Sequence, residues 1–200
     1  DPLFTEYKKV SGPFQRTPAE CMATEPGAPA MAQGTVICWI LPVTRATRES
    51  NHKERVWPSR EWAHTRNYGE KFNSLLRRHV VTFLSGRGHR AIAPQLSPGW
   101  MRIEDTPVGI ASTWSERHAT YAAGLGTFSL NDGLITERGI AHRCGSVITD
   151  LILPPTKRSA TGPRGNCLYY RDGSCGICID RCPAGALSRE GHDKPKCSEY

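Results

Sequence analysis

Near the end of the chain, Cys167, Cys175, Cys178 and Cys182 form the pattern C-x7-C-x2-C-x3-C, and Pro183 follows directly. A thiolate is a soft ligand, and several thiolates on one tight, glycine-containing loop suit an iron–sulfur cluster or zinc. The tail separates the two. C-x2-C-x3-C-P matches the end of the bacterial ferredoxin run, in which the cysteine before proline ligates a second cluster. Structural zinc sites more often show two separated C-x2–4-C knuckles. The spacing therefore favours an iron–sulfur site over zinc or disulfides.

The rest of the composition supports this reading. Eight cysteines are many for 200 residues, and five of them (Cys167, Cys175, Cys178, Cys182 and Cys197) crowd the C-terminal end. A disulfide scaffold spreads its cysteines, whereas a metal site gathers them. Cys38 sits inside the apolar run TVICWIL and reads as a small buried hydrophobe. No stretch of about 18 apolar residues occurs, so no membrane span is expected. No secretory leader pattern opens the sequence, and the expected location is cytoplasmic. The chain begins at Asp1, which leaves room for an upstream segment. The formal charge of +7 is scattered (Lys8, Lys9, Arg45, Arg48, Arg77, Arg78, Arg87, Arg90) and reads first as a solvated basic surface. A phosphate-bearing partner is the alternative.

Pattern and punctuation divide the chain into an N-terminal arm (1–33), an α/β domain (34–153), a polar Gly/Pro linker (154–165) and a cysteine module (166–200). The arm is rich in Pro, Gly and Ala and reads as an extended or capping segment. Thr35–Leu41 is a buried strand by length and β-branching. Arg45–Arg66 is charged, with Trp57 and Trp62 interleaved, and reads as a surface loop. Tyr68–Ser85 is the best helix: Phe72, Leu75, Leu76, Val80, Phe83 and Leu84 recur at helical spacing, and Gly86 follows. Arg90–Ala93, Leu134–Thr136 and Ser146–Leu153 read as further strands. Thr113-Trp-Ser-Glu116 reads as a capping box that starts a helix at Trp114. Its face carries Trp114, His118, Tyr121, Ala122 and Leu125, and Gly124-Leu-Gly126 ends it. The fold class expected is α/β (α+β).

A [4Fe–4S] cluster needs four ligands. In the usual spacing the first cysteine stands three residues before Cys175, where this chain has Asp172. Either Asp172 is an oxygen ligand or Cys167 loops round to replace it. Thiolate suits iron better than carboxylate, which favours Cys167. Tyr170-Arg-Asp-Gly173 also reads as an ordinary turn. Cys197 is too far along for the same loop; it is either a ligand of a second cluster, the favoured reading, or an incidental thiol. Two cubanes need eight thiolates and this region has five. The chain is then expected to be either a piece of a longer protein or the holder of one cluster with a rearranged ligand set.

Three segments together resemble the epoxyqueuosine reductase family: WSERHATYAAGLGTFSLNDGLITERG, HRCGSVITDL and the C-x2-C-x3-C-P-A-G-A-L run. That family in turn resembles the cobalamin-dependent reductive dehalogenases. Glu116-Arg117 with Gly124-Leu-Gly126, and the cysteine run, are the most specific pieces. Leu41-Pro42, Arg66-Asn-Tyr68 and Asp105-Thr-Pro107-Val108 are weaker ones. The resemblance covers roughly residues 35–200.

The resemblance implies a nitroreductase- or cobalamin-reductase-like mixed sheet domain joined to a ferredoxin-like module. It implies one or two [4Fe–4S] clusters that pass electrons to a cobalamin-type cofactor for substrate reduction. The cluster ligands would come from Cys167, Cys175, Cys178, Cys182 and Cys197. Asp105 matches the proton-donating aspartate. Gly124, Leu125, Gly126, Thr127 and Phe128 would lie against the corrinoid. An electron donor such as ferredoxin or flavodoxin is implied, with a tRNA or a small molecule as substrate and no membrane partner. Three departures point to a paralogue with another substrate: Asp172 at the cysteine position, the missing second cysteine motif and C-terminal extension, and the spacing around Asp105.

The residues alone say less. Asp105 before Thr-Pro is most often a turn residue. A general acid there would need a raised pKa in a closed apolar pocket. His118 shares its helix face with Trp114 and Tyr121 and reads first as a packed core histidine. Ser129 stands where the dinucleotide fingerprint needs its third glycine, so an NAD site is not indicated. The competing functions are a pure electron carrier and a zinc-stabilised nucleic-acid-binding protein.

Overall fold

The computed structural model describes residues 2–24, 31–158 and 162–200. Parts of the expected arm (25–30) and linker (159–161) lie outside the described residues. Among the described residues eight α-helices and seven strands follow one another: α1 Pro2–Ser11, α2 Pro18–Met22, β1 Thr35–Pro42, α3 Arg45–Lys53, α4 Arg60–Ser85, β2 Ala91–Ile92, β3 Arg102–Thr106, β4 Gly109–Ser112, α5 Glu116–Ala122, β5 Gly126–Phe128, β6 Leu134–Thr136, β7 His142–Thr149, α6 Leu168–Asp172, α7 Ile177–Asp180 and α8 Lys194–Glu199. The fold is mixed α/β with small sheets: one of three strands in the order β1-β7-β2, and the hairpins β3-β4 and β5-β6.

The chain forms two compact units, each assembled from three stretches. The first takes Asp1–Trp39, Ser74–Gly124 and Cys144–Arg158. The second takes Ile40–Asn73, Leu125–Arg143 and Ser159–Tyr200.

In the first unit β2 pairs antiparallel with β7, Ile92 opposite Ile148. Phe4, Cys21, Met22, Ile92, Trp114, Ala119 and Ile148 make one core cluster; Leu84, Ala93 and Val147 make another. The stretch read as an extended or capping arm therefore contributes two helices to the core. The signal is local: Thr17 and Glu20 form a reciprocal capping box, Thr17 Oγ1 accepting from Glu20 N (3.2 Å) and Glu20 Oε2 from Thr17 N (2.8 Å). Phe4 stacks on Trp114 at 5.4 Å. The Trp114 indole N–H donates to Ser146 Oγ at 3.0 Å, which satisfies its polar atom inside the core.

Helix α5 begins two residues later than its apparent capping box. Ser115 is the N-cap, accepting from His118 N. Thr113 is otherwise engaged: its Oγ1 accepts from Met101 N (3.0 Å) and donates to Gly99 O (3.2 Å). Close backbone approach shows at Gly145. A Cβ there would stand 2.5 Å from Trp39 Nε1, so the tryptophan ring occupies the space a side chain would need.

The long helix α4 starts at Arg60, eight residues before the apolar pattern begins, because Ser59 Oγ accepts from Trp62 N (3.2 Å). Its buried positions are Asn73, Arg77 and Leu84, whereas Phe72 and Leu75 are 57% and 60% exposed. The periodic apolar stripe of the sequence packs only in part: Leu84 is core and Val80 lies against the same cluster, while Phe72, Leu75 and Phe83 are exposed. Helix α3 replaces the surface loop expected over Arg45–Arg66. Thr44 caps it, and only Thr47 is buried along it, so it carries no apolar stripe to read.

In the second unit β5 and β6 pair antiparallel, Thr127 opposite Ile135. A Cβ on Gly126 would meet Ile135 O at 2.5 Å. The hairpin tip turns through Asp132 in the left-handed region (φ 58°).

Candidate metal centre

The cysteine segment is a succession of short turns. Cys167 is the residue before α6; its Sγ makes no capping bond, and the residue is only 6% exposed. Gly173, in the left-handed conformation, ends α6. Cys178 lies on α7, with Cys175 two residues before it and Cys182 two residues after it. Cys182 Sγ accepts a hydrogen bond from Ala186 N at 3.3 Å. None of the eight cysteines is joined in a disulfide.

The thiols feel one another. Burial pushes the Cys178 thiol up, and the neighbouring Cys175 and Cys167 thiols push it further. Three of the four expected ligands are thus electrostatic neighbours. Cys197 is apart, exposed on α8. Among the described residues no three His, Cys, Asp or Glu side chains close into a metal-sized cage. A Cβ at Gly173 or Gly176 would meet nothing within 4 Å, so both turns are open to one side. The donor set fits a soft, cluster-type metal in its chemistry. Closing onto it couples metal binding to local ordering.

Asp172 is engaged elsewhere. Its Oδ1 accepts from Ser174 N (3.0 Å), and Arg171 lies 3.1 Å from Oδ2. Hydrogen bonds from Ser174, with Arg171 beside it, hold this exposed carboxyl below the usual range. That is the turn reading of Tyr170–Gly173, while Cys167 faces inward.

Four sets of contacts fix the segment within its unit. Asn166 donates from its backbone to Thr127 Oγ1 (2.8 Å) and from its amide to Ile135 O (3.0 Å). Phe128 N donates to Pro163 O at 2.7 Å. His192 Nδ1 lies 3.1 Å from Asp132 Oδ2. Arg181, the residue before Cys182, donates to His52 O and Glu54 O at the end of α3, both at 3.1 Å. Sequence reasoning passed over Arg181 and Asn166. Their positions one residue before Cys182 and Cys167 were the available signal.

The stretch expected against a corrinoid is taken up by the chain's own packing. Gly124 follows α5 at φ +82°, a turn glycine, and Arg158 packs over it while donating to Ala122 O at 3.0 Å. Leu125 is half-buried and leads into β5. Gly126 is filled by Ile135, Thr127 is buried under Asn166, and Phe128 is tied to Pro163. Asp105 stands at φ 55° on the irregular tip of the β3-β4 hairpin, and its side chain is exposed. The closed apolar setting that a general acid requires is not what surrounds it.

Glu116, the core of the most specific resemblance, takes part in a buried ion pair. Arg77 Nε lies 3.1 Å from Glu116 Oε1, and Arg77 Nη2 donates to Cys144 O at 3.1 Å. His118 packs edge-on against Tyr7 with ring centroids 4.5 Å apart, the packed-histidine arrangement. Cys38 packs against the core, and burial pushes its thiol strongly up. No helix among the described residues is long and apolar enough to cross a membrane.

Comparison with curated proteins finds reductive dehalogenases. The chain is 42% identical over 73 residues to tetrachloroethene reductive dehalogenases of Desulfitobacterium hafniense and Dehalobacter restrictus. It is 39% identical over 77 residues to the trichloroethene reductive dehalogenase of Dehalococcoides mccartyi. The similarity is confined to one stretch. It covers 36% of this chain and only 12% to 13% of the relatives' length. No family profile matches the chain.

Proposed function

We propose that the chain is an electron-relaying part of an iron–sulfur reductase of the reductive dehalogenase kind. Cys167, Cys175, Cys178 and Cys182 would hold a [4Fe–4S] cluster, and Cys197 would serve a second. The observation that carries the reading is the cysteine loop itself: soft donors at ferredoxin-like spacing, three of them electrostatic neighbours. The partial similarity to reductive dehalogenases supports the reductase class. The epoxyqueuosine reductase resemblance is the finer form of the same proposal, with a tRNA nucleoside in place of a small organic substrate.

When bound, a cluster supplies one-electron transfer at a potential that protein hydrogen bonds tune. This chain's own contributions can be named. The Ala186 N–H donates to Cys182 Sγ and fixes where that sulfur points. The buried position of Cys167 excludes water from one side of the loop. Arg181 and Asn166 hold the two ends of the ligand run in place. A second reading, an electron-transfer protein without its own substrate, is favoured by the exposure of Asp105 and the self-packed Gly124–Phe128 stretch.

One titration separates them. Cobalamin added to the cluster-loaded chain shifts the corrinoid spectrum if the chain is part of a reductase. An unchanged spectrum leaves the electron carrier. A colourless protein that takes up one zinc contradicts both.

A further inference from the structure

Two of the basic charges that look scattered in sequence, Arg45 and Arg48, lie on α3 and share one side of it with His52, at spacings of three and four. Lys53 follows His52 at the end of the helix. These residues line an open basin of about 760 Å³ together with Glu49. The end of this helix is attached to the cysteine loop. Arg181 donates to the carbonyls of His52 and Glu54, and Cys182 is the next residue. Four residues past the helix, Trp57 is 66% exposed and stacks on Tyr200 with ring centroids 5.4 Å apart. Exposed aromatics and arginines are enriched where proteins recognise one another.

We propose that this face of α3 docks an acidic electron-donor protein and brings its redox centre to the cysteine loop. The proposal rests on the iron–sulfur reading above. Charge complementarity selects an acidic occupant. Glu49 is paired with Arg45 at 2.7 Å, which leaves Arg48 and Lys53 as the cations that face an acidic partner; a nucleic-acid partner is the outcome the tRNA arm of the test reads. The step is a simple transfer: the reduced donor loses one electron, the oxidised cluster gains it, and no bond forms or breaks.

The test uses the full chain loaded with its cluster and a reduced acidic plant-type ferredoxin as probe. Bleaching of the cluster is followed in the wild type, in the double variant Arg48→Glu/Lys53→Glu, and in Arg78→Glu, an exposed basic position on α4 that does not line the basin. The expected result is an about tenfold or larger loss of rate in the double variant, with a comparable fall for the wild type in high salt. Arg78→Glu and the rate with dithionite stay unchanged. Equal ferredoxin rates in the double variant and the wild type overturn the docking proposal while the cluster reading stands. A double variant that keeps its ferredoxin rate but loses binding to bulk tRNA overturns it in favour of a nucleic-acid surface. A chain that assembles no cluster and shows no bleaching with dithionite overturns the cluster reading, and the docking proposal with it.

Discussion

Arg77 and Glu116 form a buried ion pair that ties α4 to the start of α5. The guanidinium is 1% exposed and its Nε lies 3.1 Å from Glu116 Oε1, while its Nη2 reaches the backbone of β7 at Cys144. Taking two charges out of water is costly, so such a pair holds only while both partners remain. Arg77→Ala removes the cation from beside a carboxylate that stays buried. The expected cost is about 3–5 kcal/mol in denaturant unfolding, with Glu116→Ala of similar size. The double variant costs less than the two single costs added together, by a coupling of about 1 kcal/mol or more. Strict additivity would show that the two residues act independently.

Gly145 and Trp39 make a second, steric prediction. With the indole 2.5 Å from where a Cβ would be, Gly145→Ala forces the ring or the strand to move. Overpacking of this kind costs about 1–3 kcal/mol. The blue shift expected of tryptophan fluorescence in a tight core should weaken in the variant, and an unchanged melting curve would contradict the packing.

The exposed stripe of α4 separates pattern from packing. Leu84→Ala empties a core position and should cost about 2–5 kcal/mol. Leu75→Ala, on the exposed stripe, should stay within about 0.5 kcal/mol of the wild type. Thermal unfolding of both variants checks the contrast, and equal losses would place Leu75 in a core.

Cys21 gives a pH signature. Burial pushes its thiol from 9.0 up to about 12. The folded pKa is above the unfolded one, so the stabilisation is fully present below pH 9 and is lost as pH rises towards 12. Across that window stability falls by up to about 1.4 kcal/mol per pH unit on account of this thiol. Cys21→Ala should have a shallower alkaline slope in denaturant titrations. An identical slope would mean that the thiol ionises as readily folded as unfolded.

Much of the fold was legible. The strand at Thr35, the Leu134–Thr136 strand and the end of α4 at Ser85 follow from β-branching, length and a glycine stop. Helix α3 was not, because a helix that buries only Thr47 has no hydrophobic period to detect. The hairpin β3-β4 was missed because its strands are short and Asp105 interrupts their register. The capping box at Thr113 misled because a threonine can satisfy tertiary partners as readily as a helix end, and Thr113 bonds Met101 and Gly99. At the site, the ligand types and their spacing were readable. The turn at Asp172 was readable too, since its partners Ser174 and Arg171 are sequence neighbours; the burial of Cys167 is a tertiary matter that spacing does not carry.

The most direct measurement is anaerobic loading of the chain with iron and sulfide, followed by iron counting and visible absorbance before and after dithionite. The account predicts a brown protein that bleaches on reduction. It predicts that Cys178→Ala loses the colour and that Cys38→Ala, in the other unit's core, keeps it. A colourless protein, or equal loss in the two variants, would contradict the assignment of the cysteine loop as the cluster site.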